Sequence, residues 1–308
     1  MGKIAFVFAG QGAQYAGMGR DIYENSAAAK KVFDMADSMQ AHTKELCFCG
    51  PEDNLNVTTN TQPCLFAMDL ACAAALSENG ITADGVAGFS LGEIPAAAYA
   101  GIMSDEQAFE FVCLRAEAMH RCAEKNKGAM AAILKLTAQQ VEDICKGIEG
   151  AYPVNYNCEA QTVVAFALKA EQNLQDTVAQ SGGRMIKLAV SGAFHSPFMD
   201  EASVEIARYL GPQQSGVMRT AIYSNVTAKI YDNPKELLSK QINSPVRWQQ
   251  TIENMVSDGF ATFIEVGAGK TLSGLIKKID KTVRVFNVGD TASLADTING
   301  INEGNKDA

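Results

Sequence analysis

Ser90 stands in Gly88-Phe89-Ser90-Leu91-Gly92, the Gly-x-Ser-x-Gly spacing of a nucleophile elbow. A turn this sharp between a strand and a helix tolerates little but glycine at its flanks. It lifts the serine to the helix N-terminus, where backbone N–H groups and the helix dipole can stabilise an oxyanion. The chemistry served is acyl transfer through an acyl-serine. The bland alternative is a structural turn that happens to hold a serine. A serine nucleophile needs a base at neutral pH. The chain has three histidines, His42, His120 and His195. His42 lies in the polar stretch Gln40-Ala41-His42-Thr43-Lys44 and reads as surface. His120 reads as the end of a helix, where a cation suits the dipole. His195, in Gly192-Ala193-Phe194-His195-Ser196-Pro197-Phe198, is the candidate base; a loop histidine satisfied by backbone is its plain alternative. No acid between positions 90 and 195 sits in a strand-end loop, and Glu265 follows His195. That order argues against a standard α/β-hydrolase triad, where the acid precedes the histidine.

One further residue could do chemistry. Arg115 lies in Phe109-Glu110-Phe111-Val112-Cys113-Leu114-Arg115-Ala116, a helical stretch that is apolar nearly all round. A guanidinium buried there needs an anionic partner, and a bidentate carboxylate fits its fork. That partner is either a ligand or an internal acid such as Glu93 or Glu117.

The elements that must position these residues follow from period and capping. Residues 4–9 read as a buried strand running into the loop Gly10-Gln11-Gly12-Ala13-Gln14, whose glycines allow close backbone approach. Thr61-Gln62-Pro63 predicts a helix start, and Asn79-Gly80 its end. Val86-Ala87 is a short strand leading into Gly88. Ser104-Asp105-Glu106-Gln107 predicts a capping box for the helix holding Arg115. From 127 to 190 the order becomes strand 130–134, helix from Thr137 to about 147, strands 153–157 and 162–168, helix 171–180 and strand 185–190. That is β-α-β-β-α-β, the split βαβ of ferredoxin-like units. The expected fold is therefore α/β, with an inserted subdomain at 127–190 between 1–126 and 191–308. His195 falls where the small unit hands back to the large one, and clefts form at such junctions. Asn233-Pro234 and Ser244-Pro245 each predict a helix with proline at its first position. Residues 262–266 read as another buried strand, and the polar tail 299–308 is expected to fray.

The 308 residues, 47% apolar and 20% charged, suit a globular enzyme. No apolar run approaches the roughly 18 residues of a membrane span; the longest, 65–76, is broken by Asp69. Residues 4–9 are shorter than a signal h-region, and Phe6 does not fit a myristoylation pattern, so a cytoplasmic location is expected. The net charge of −9 makes nucleic acid a poor partner. Eight cysteines contain no C-x-x-C pair, and they read as free thiols; Cys47-Phe48-Cys49 would face one way on a strand without making a zinc site. No metal site is expected.

Taken in order, Phe8-Ala9-Gly10-Gln11-Gly12, Gly88-Phe89-Ser90-Leu91-Gly92-Glu93, Arg115, Ala193-Phe194-His195-Ser196, Ser244-Pro245-Val246-Arg247-Trp248 and Glu265-Val266-Gly267 resemble the malonyl-CoA:acyl-carrier-protein transacylase family. The resemblance covers about residues 3 to 280 and implies a large α/β-hydrolase-like domain with a short parallel sheet plus the ferredoxin-like insert. It implies that Ser90 is acylated by malonyl-CoA and passes malonyl to the phosphopantetheine thiol of acyl carrier protein. His195 would be the base, oriented by a backbone carbonyl near Gln241 rather than by an acid. The oxyanion hole would be the N–H groups of Gln11 and Leu91, and Arg115 would hold the malonyl carboxylate. No metal or redox cofactor is implied, and a monomer is expected. Phe89 departs from the family's usual histidine and would make the acyl pocket wall bulkier and more apolar. Ala193-Phe194 resembles the malonyl-selective version of its motif, with Phe194 at the acyl group. Gly267-Ala268-Gly269 departs from Gly-Pro-Gly without expected consequence. Arg184, Lys187, Lys277 and Lys278 are candidates for docking an acidic carrier, or simply solvated charges. A polyketide carrier, a hydrolase that clears stalled acyl groups and a non-catalytic carrier-binding module are the competing readings. Arg115 counts against the hydrolase, and the presence of Ser90 with His195 against the binding module.

Overall fold

Strands β1 (Lys3–Phe8), β2 (Gly85–Gly88), β3 (Gly128–Leu134), β4 (Ala151–Cys158), β5 (Gln161–Ala167), β6 (Arg184–Lys187), β7 (Ala221–Tyr223), β8 (Phe260–Val266) and β9 (Arg284–Val288) form two sheets. The structure, a computed structural model, describes residues 2–306. The first sheet is parallel, in the order β7-β2-β1-β8-β9. Its central strands are covered on both faces, which is why Ala5 to Phe8 is an unbroken apolar run. The second sheet is antiparallel, in the order β4-β5-β3-β6, with helices Ala138–Lys146 and Glu171–Gln180 between its strands in the order βαββαβ.

Helix Thr58–Glu78 is buried on nearly every face, as its lack of a polar stripe requires. It starts one turn earlier than the Pro63 signal predicts, so Pro63 lies inside it. Helix Asp105–Lys125 opens with the predicted capping box between Ser104 and Gln107, and Thr137 and Gln140 form the second. Asn233 caps helix Pro234–Lys240 as expected.

Several local expectations change. Ser244-Pro245 does not open a helix: Val246 pairs with Asn155 in a parallel bridge, and the helix begins at Trp248. The pairing ties the loop before that helix to β4, and a backbone that bonds to a strand cannot also turn helical. Cys47 and Cys49 lie on helix Thr43–Cys49, not on a strand, and all eight cysteines are free. His120 sits inside helix Asp105–Lys125 rather than at its end. Strand β6 stops at Lys187. The polar tail is helical through Thr291–Lys306, and the last two residues of the expected fray lie outside the described residues. Among the described residues, no helix is long and apolar enough to cross a membrane.

Candidate active site

β1 and β2 end side by side, with Phe8 opposite Gly88, so the loops that follow them share one end of the parallel sheet. Gly10-Gln11-Gly12 leaves β1 and Ser90 leaves β2. Ser90 has φ 53, and short helix turns carry the chain onward into helix Glu93–Tyr99. The two elbow glycines are forced by backbone. A Cβ on Gly88 would lie 2.0 Å from the Gly92 carbonyl carbon, and one on Gly92 would lie 2.2 Å from the Phe8 carbonyl oxygen. The Phe89 N–H donates to the Phe8 carbonyl at 3.0 Å, holding the turn on β1.

His195 meets Ser90 across 105 residues of sequence: Ser90 Oγ and His195 Nε2 are 2.6 Å apart. His195 Nδ1 is 2.9 Å from the Gln241 carbonyl, and its backbone N–H donates to the Ile242 carbonyl at 3.0 Å. A carbonyl only accepts, so Nδ1 carries the proton and Nε2 is left to accept from the serine hydroxyl. His195 is buried, and burial followed by the Arg115 charge lowers its pKa to about 4. It is therefore a neutral acceptor at physiological pH.

Arg115 is 1% exposed. Its Nη1 donates to Gln62 Oε1 at 2.7 Å, and its Nη2 to Gln241 Oε1 at 2.8 Å and Ser90 Oγ at 3.3 Å. Its Nε has no partner. Among the described residues no carboxylate lies within 4.0 Å of it. Of the two internal acids, Glu117 lies near Arg121 instead, and Glu93 bonds to neutral groups. Burial lowers the Arg115 pKa to about 10, with Glu93 pulling the other way, so it stays charged at neutral pH. A buried cation held only by neutral oxygens, beside a serine hydroxyl, is arranged to receive an anion.

The acyl transferase domain family matches residues 5–299. The malonyl CoA-acyl carrier protein transacylase of Bacillus subtilis is 36% identical over 317 residues, spanning 100% of both chains. The chain belongs to the malonyl CoA-acyl carrier protein transacylase family. It is an acyltransferase. The solved transacylase structure from Clostridium perfringens superposes with a TM-score of 0.95 at 36% identity, covering 98% of each chain. The one from Streptococcus pneumoniae gives 0.93 at 35% identity, covering 97% of this chain and 100% of that one. A malonyl-transacylase in complex with a type II PKS acyl-carrier protein gives 0.93 at 32% identity, covering 97% and 99%.

Within this transacylase fold the remaining candidates separate. Gln11 lies beside the elbow, and its backbone N–H has no partner among the described residues. Leu91 is buried immediately after the serine. Phe89 packs edge-on against Trp248, with ring centroids 5.5 Å apart, and lines a cavity of about 200 Å³ with Gln11, Asn155, Asn157 and Gln161. Phe194 is buried in the large core; the groove of about 610 Å³ onto which His195 opens is lined instead by Ser196, Pro197, Tyr152 and Pro153. Lys187 is tied to Glu171 at 2.8 Å.

Four residues near the site are absent from the sequence reading as site groups. Gln62 is buried in helix Thr58–Glu78 together with Thr58, Thr61 and Asp69, and a polar side chain beside an apolar run was its available signal. Asn225 accepts from the Ser90 N–H at 2.8 Å and donates to the Gly88 carbonyl at 2.6 Å. Glu93 is fully buried and accepts from the Asn225 N–H, Tyr231 O–H and Gln241 Nε2. Burial raises its pKa to about 7, against the pull of those donors and of Arg115. Tyr231 completes the set.

Proposed function

We propose that the protein moves a malonyl group from malonyl-CoA to the phosphopantetheine thiol of an acyl carrier protein through a malonyl-Ser90 intermediate. Ser90 Oγ attacks the thioester carbonyl while His195 Nε2 takes its proton. The tetrahedral oxyanion is held by the Gln11 and Leu91 N–H groups. His195 then returns the proton to the departing CoA sulfur. In the second half the carrier's thiol gives its proton to His195 and attacks malonyl-Ser90, and Ser90 recovers the proton as it leaves. This is a ping-pong cycle. No step as written uses a metal or redox cofactor.

The observation that carries the reading is Arg115: a buried guanidinium without a carboxylate, 3.3 Å from Ser90 Oγ. A malonyl carboxylate would supply the missing anion and favour this acyl group over uncharged ones. Both thioesters also bring an arm with amide N–H groups. The Asn155 and Asn157 side-chain oxygens, buried and without partners beside the smaller cavity, suit such donors.

We take the parallel sheet as a hydrolase-like unit formed by 1–126 and 191–308, and the βαββαβ unit at 127–190 as an inserted ferredoxin-like subdomain. The order and antiparallel pairing of β3 to β6 support this. We take the enzyme to be a cytoplasmic monomer; Ser90, His195, Arg115 and Gln241 meet within one chain, so the site calls for no second copy. Its carrier is taken to be that of fatty-acid synthesis. A polyketide carrier is the second reading, favoured by the likeness to the malonyl-transacylase solved with a type II PKS carrier.

The test is intact-mass spectrometry after mixing with malonyl-CoA. The expected result is a malonyl adduct that is lost in Ser90→Ala and cleared by a phosphopantetheinylated carrier. Absence of any adduct on the wild-type protein overturns the reading.

A further inference from the structure

The site has a base whose orienting partner is a peptide carbonyl, yet a carboxylate lies one residue behind that carbonyl. We propose that Glu93 is a positioning residue, acting on His195 through Gln241 and on Ser90 through Asn225. The proposal rests on the reading of Ser90 as nucleophile and His195 as base.

The geometry is specific. Glu93 is 0% exposed and begins the helix that follows the elbow. Its Oε1 accepts the Asn225 N–H at 3.0 Å and the Tyr231 O–H at 2.5 Å, and its Oε2 accepts Gln241 Nε2 at 2.7 Å. Two of these three donors, Asn225 and Gln241, continue to the site. Asn225 brackets the elbow through the Ser90 N–H and the Gly88 carbonyl. Gln241 Nε2 also donates to the Ser90 carbonyl at 2.5 Å, its Oε1 accepts from Arg115, and its main-chain carbonyl accepts from His195 Nδ1–H. Three distant stretches of chain are thus clamped on one carboxylate.

A carboxylate can do this because both of its oxygens only accept. A glutamine of the same shape must turn its NH₂ toward either the Asn225 N–H or Gln241 Nε2, and both of those are donors. The conflict would displace Asn225 or reverse the Gln241 amide, which would turn a second NH₂ onto Arg115. Glu93 makes no ion pair within 4.0 Å among the described residues, so its acceptors are not diverted to a cation. The acid missing from the Ser–His pair is therefore present, but it orients the base from one residue further back.

The experiment uses Glu93→Gln, with a thermal melt, a fluorophosphonate probe for Ser90 reactivity, and single-turnover loading from malonyl-CoA and acetyl-CoA. The probe reads nucleophile activation without CoA binding. The expected result is a fall of about 10- to 100-fold in probe reaction and in loading of both acyl groups, as for outer-shell orienting groups. The acyl-CoA concentration for half-maximal loading should move by no more than about threefold. In a His195→Ala background, Glu93→Gln should cost clearly less than in the wild type, because only the arm through Asn225 to Ser90 is left. Gln241→Met keeps the carbonyl, removes the amide and should fall to a similar rate. Wild-type rates in Glu93→Gln, or an equal loss with and without His195, overturn the proposal. If Glu93→Gln does not fold, Gln241→Met decides, and a wild-type rate there overturns it. Failure of the wild-type protein to react at Ser90 at all would instead strike the reading beneath.

Discussion

Arg115→Ala separates the acyl-selecting role of the guanidinium from a structural one. A carboxylate seated on the Arg115 fork would make two charge-assisted hydrogen bonds, each worth about 1.5–3 kcal/mol. Losing both removes about 3–6 kcal/mol of transition-state binding, or about 10²–10⁴ in kcat/KM for malonyl loading. Acetyl has no carboxylate, so it loses only the Nη2 contact to Ser90 Oγ, a long 3.3 Å bond. Its loading should fall by less than about tenfold. The substitution also strands Gln62 Oε1 and Gln241 Oε1, which now accept from Arg115. Orphaned buried acceptors cost about 1–3 kcal/mol each in stability, so the melting temperature should drop. The assay is intact-mass kinetics with malonyl-CoA and acetyl-CoA in parallel, at a temperature where the variant is folded. A malonyl-to-acetyl ratio that collapses supports the reasoning. Loss of both acyl groups by one common factor would refute it and leave Arg115 a structural cation. The pH profile gives an independent check. The Arg115 charge is the second cause of the low His195 pKa, so its removal should move the acid limb of the loading rate upward.

In the wild type, the loading rate should rise with pH through about 4 and level off above it, because His195 must be neutral to take the serine proton. Rapid-quench loading across the acid range reads this limb. The same His195 opposes folding in acid: the unfolded chain binds its proton near 6.5 and the folded one only near 4, so stability is lost as pH falls across that window. Glu93 runs oppositely, since its folded pKa of about 7 lies above the ordinary 4.5 and stability is gained as pH falls through that range. Each window is worth up to about 3 kcal/mol and they largely cancel, so Glu93→Gln should lose stability more steeply than wild type between neutral and acid denaturant melts. Gly88→Ala places a Cβ 2.0 Å from the Gly92 carbonyl carbon and 2.1 Å from the Glu93 nitrogen. It should cost at least about 1–3 kcal/mol in a thermal melt and abolish the serine adduct. Phe89→His should keep the malonyl-to-acetyl ratio within about threefold in the same mass assay, because the ring packs on Trp248 and the elbow is held by the Phe89 N–H.

The sequence by itself determined whatever depends on neighbours along the chain. The elbow is legible because Gly88 and Gly92 are required within a few residues of Ser90, and the capping boxes at Ser104 and Thr137 because a cap and its partner are three residues apart. The βαββαβ order was legible for the same reason, although strand and helix ends moved by a few residues. Arg115 stood out as a charge in an apolar helix, while Gln62 carried the same kind of signal more faintly, since an amide is less costly to bury than a cation. Only the tertiary structure decided what surrounds Ser90. Asn225, Gln241 and His195 reach it from 135, 151 and 105 residues away, through hydrogen bonds that no local pattern encodes. Ser244-Pro245 shows the same limit: its local helix signal yields to the pairing of Val246 with Asn155. Glu93 was read only as the end of the elbow motif and as a possible ion-pair partner for Arg115. Its burial between Asn225, Tyr231 and Gln241 exists only once three distant stretches of chain have folded together, because a carboxylate's role is set by the donors that reach it.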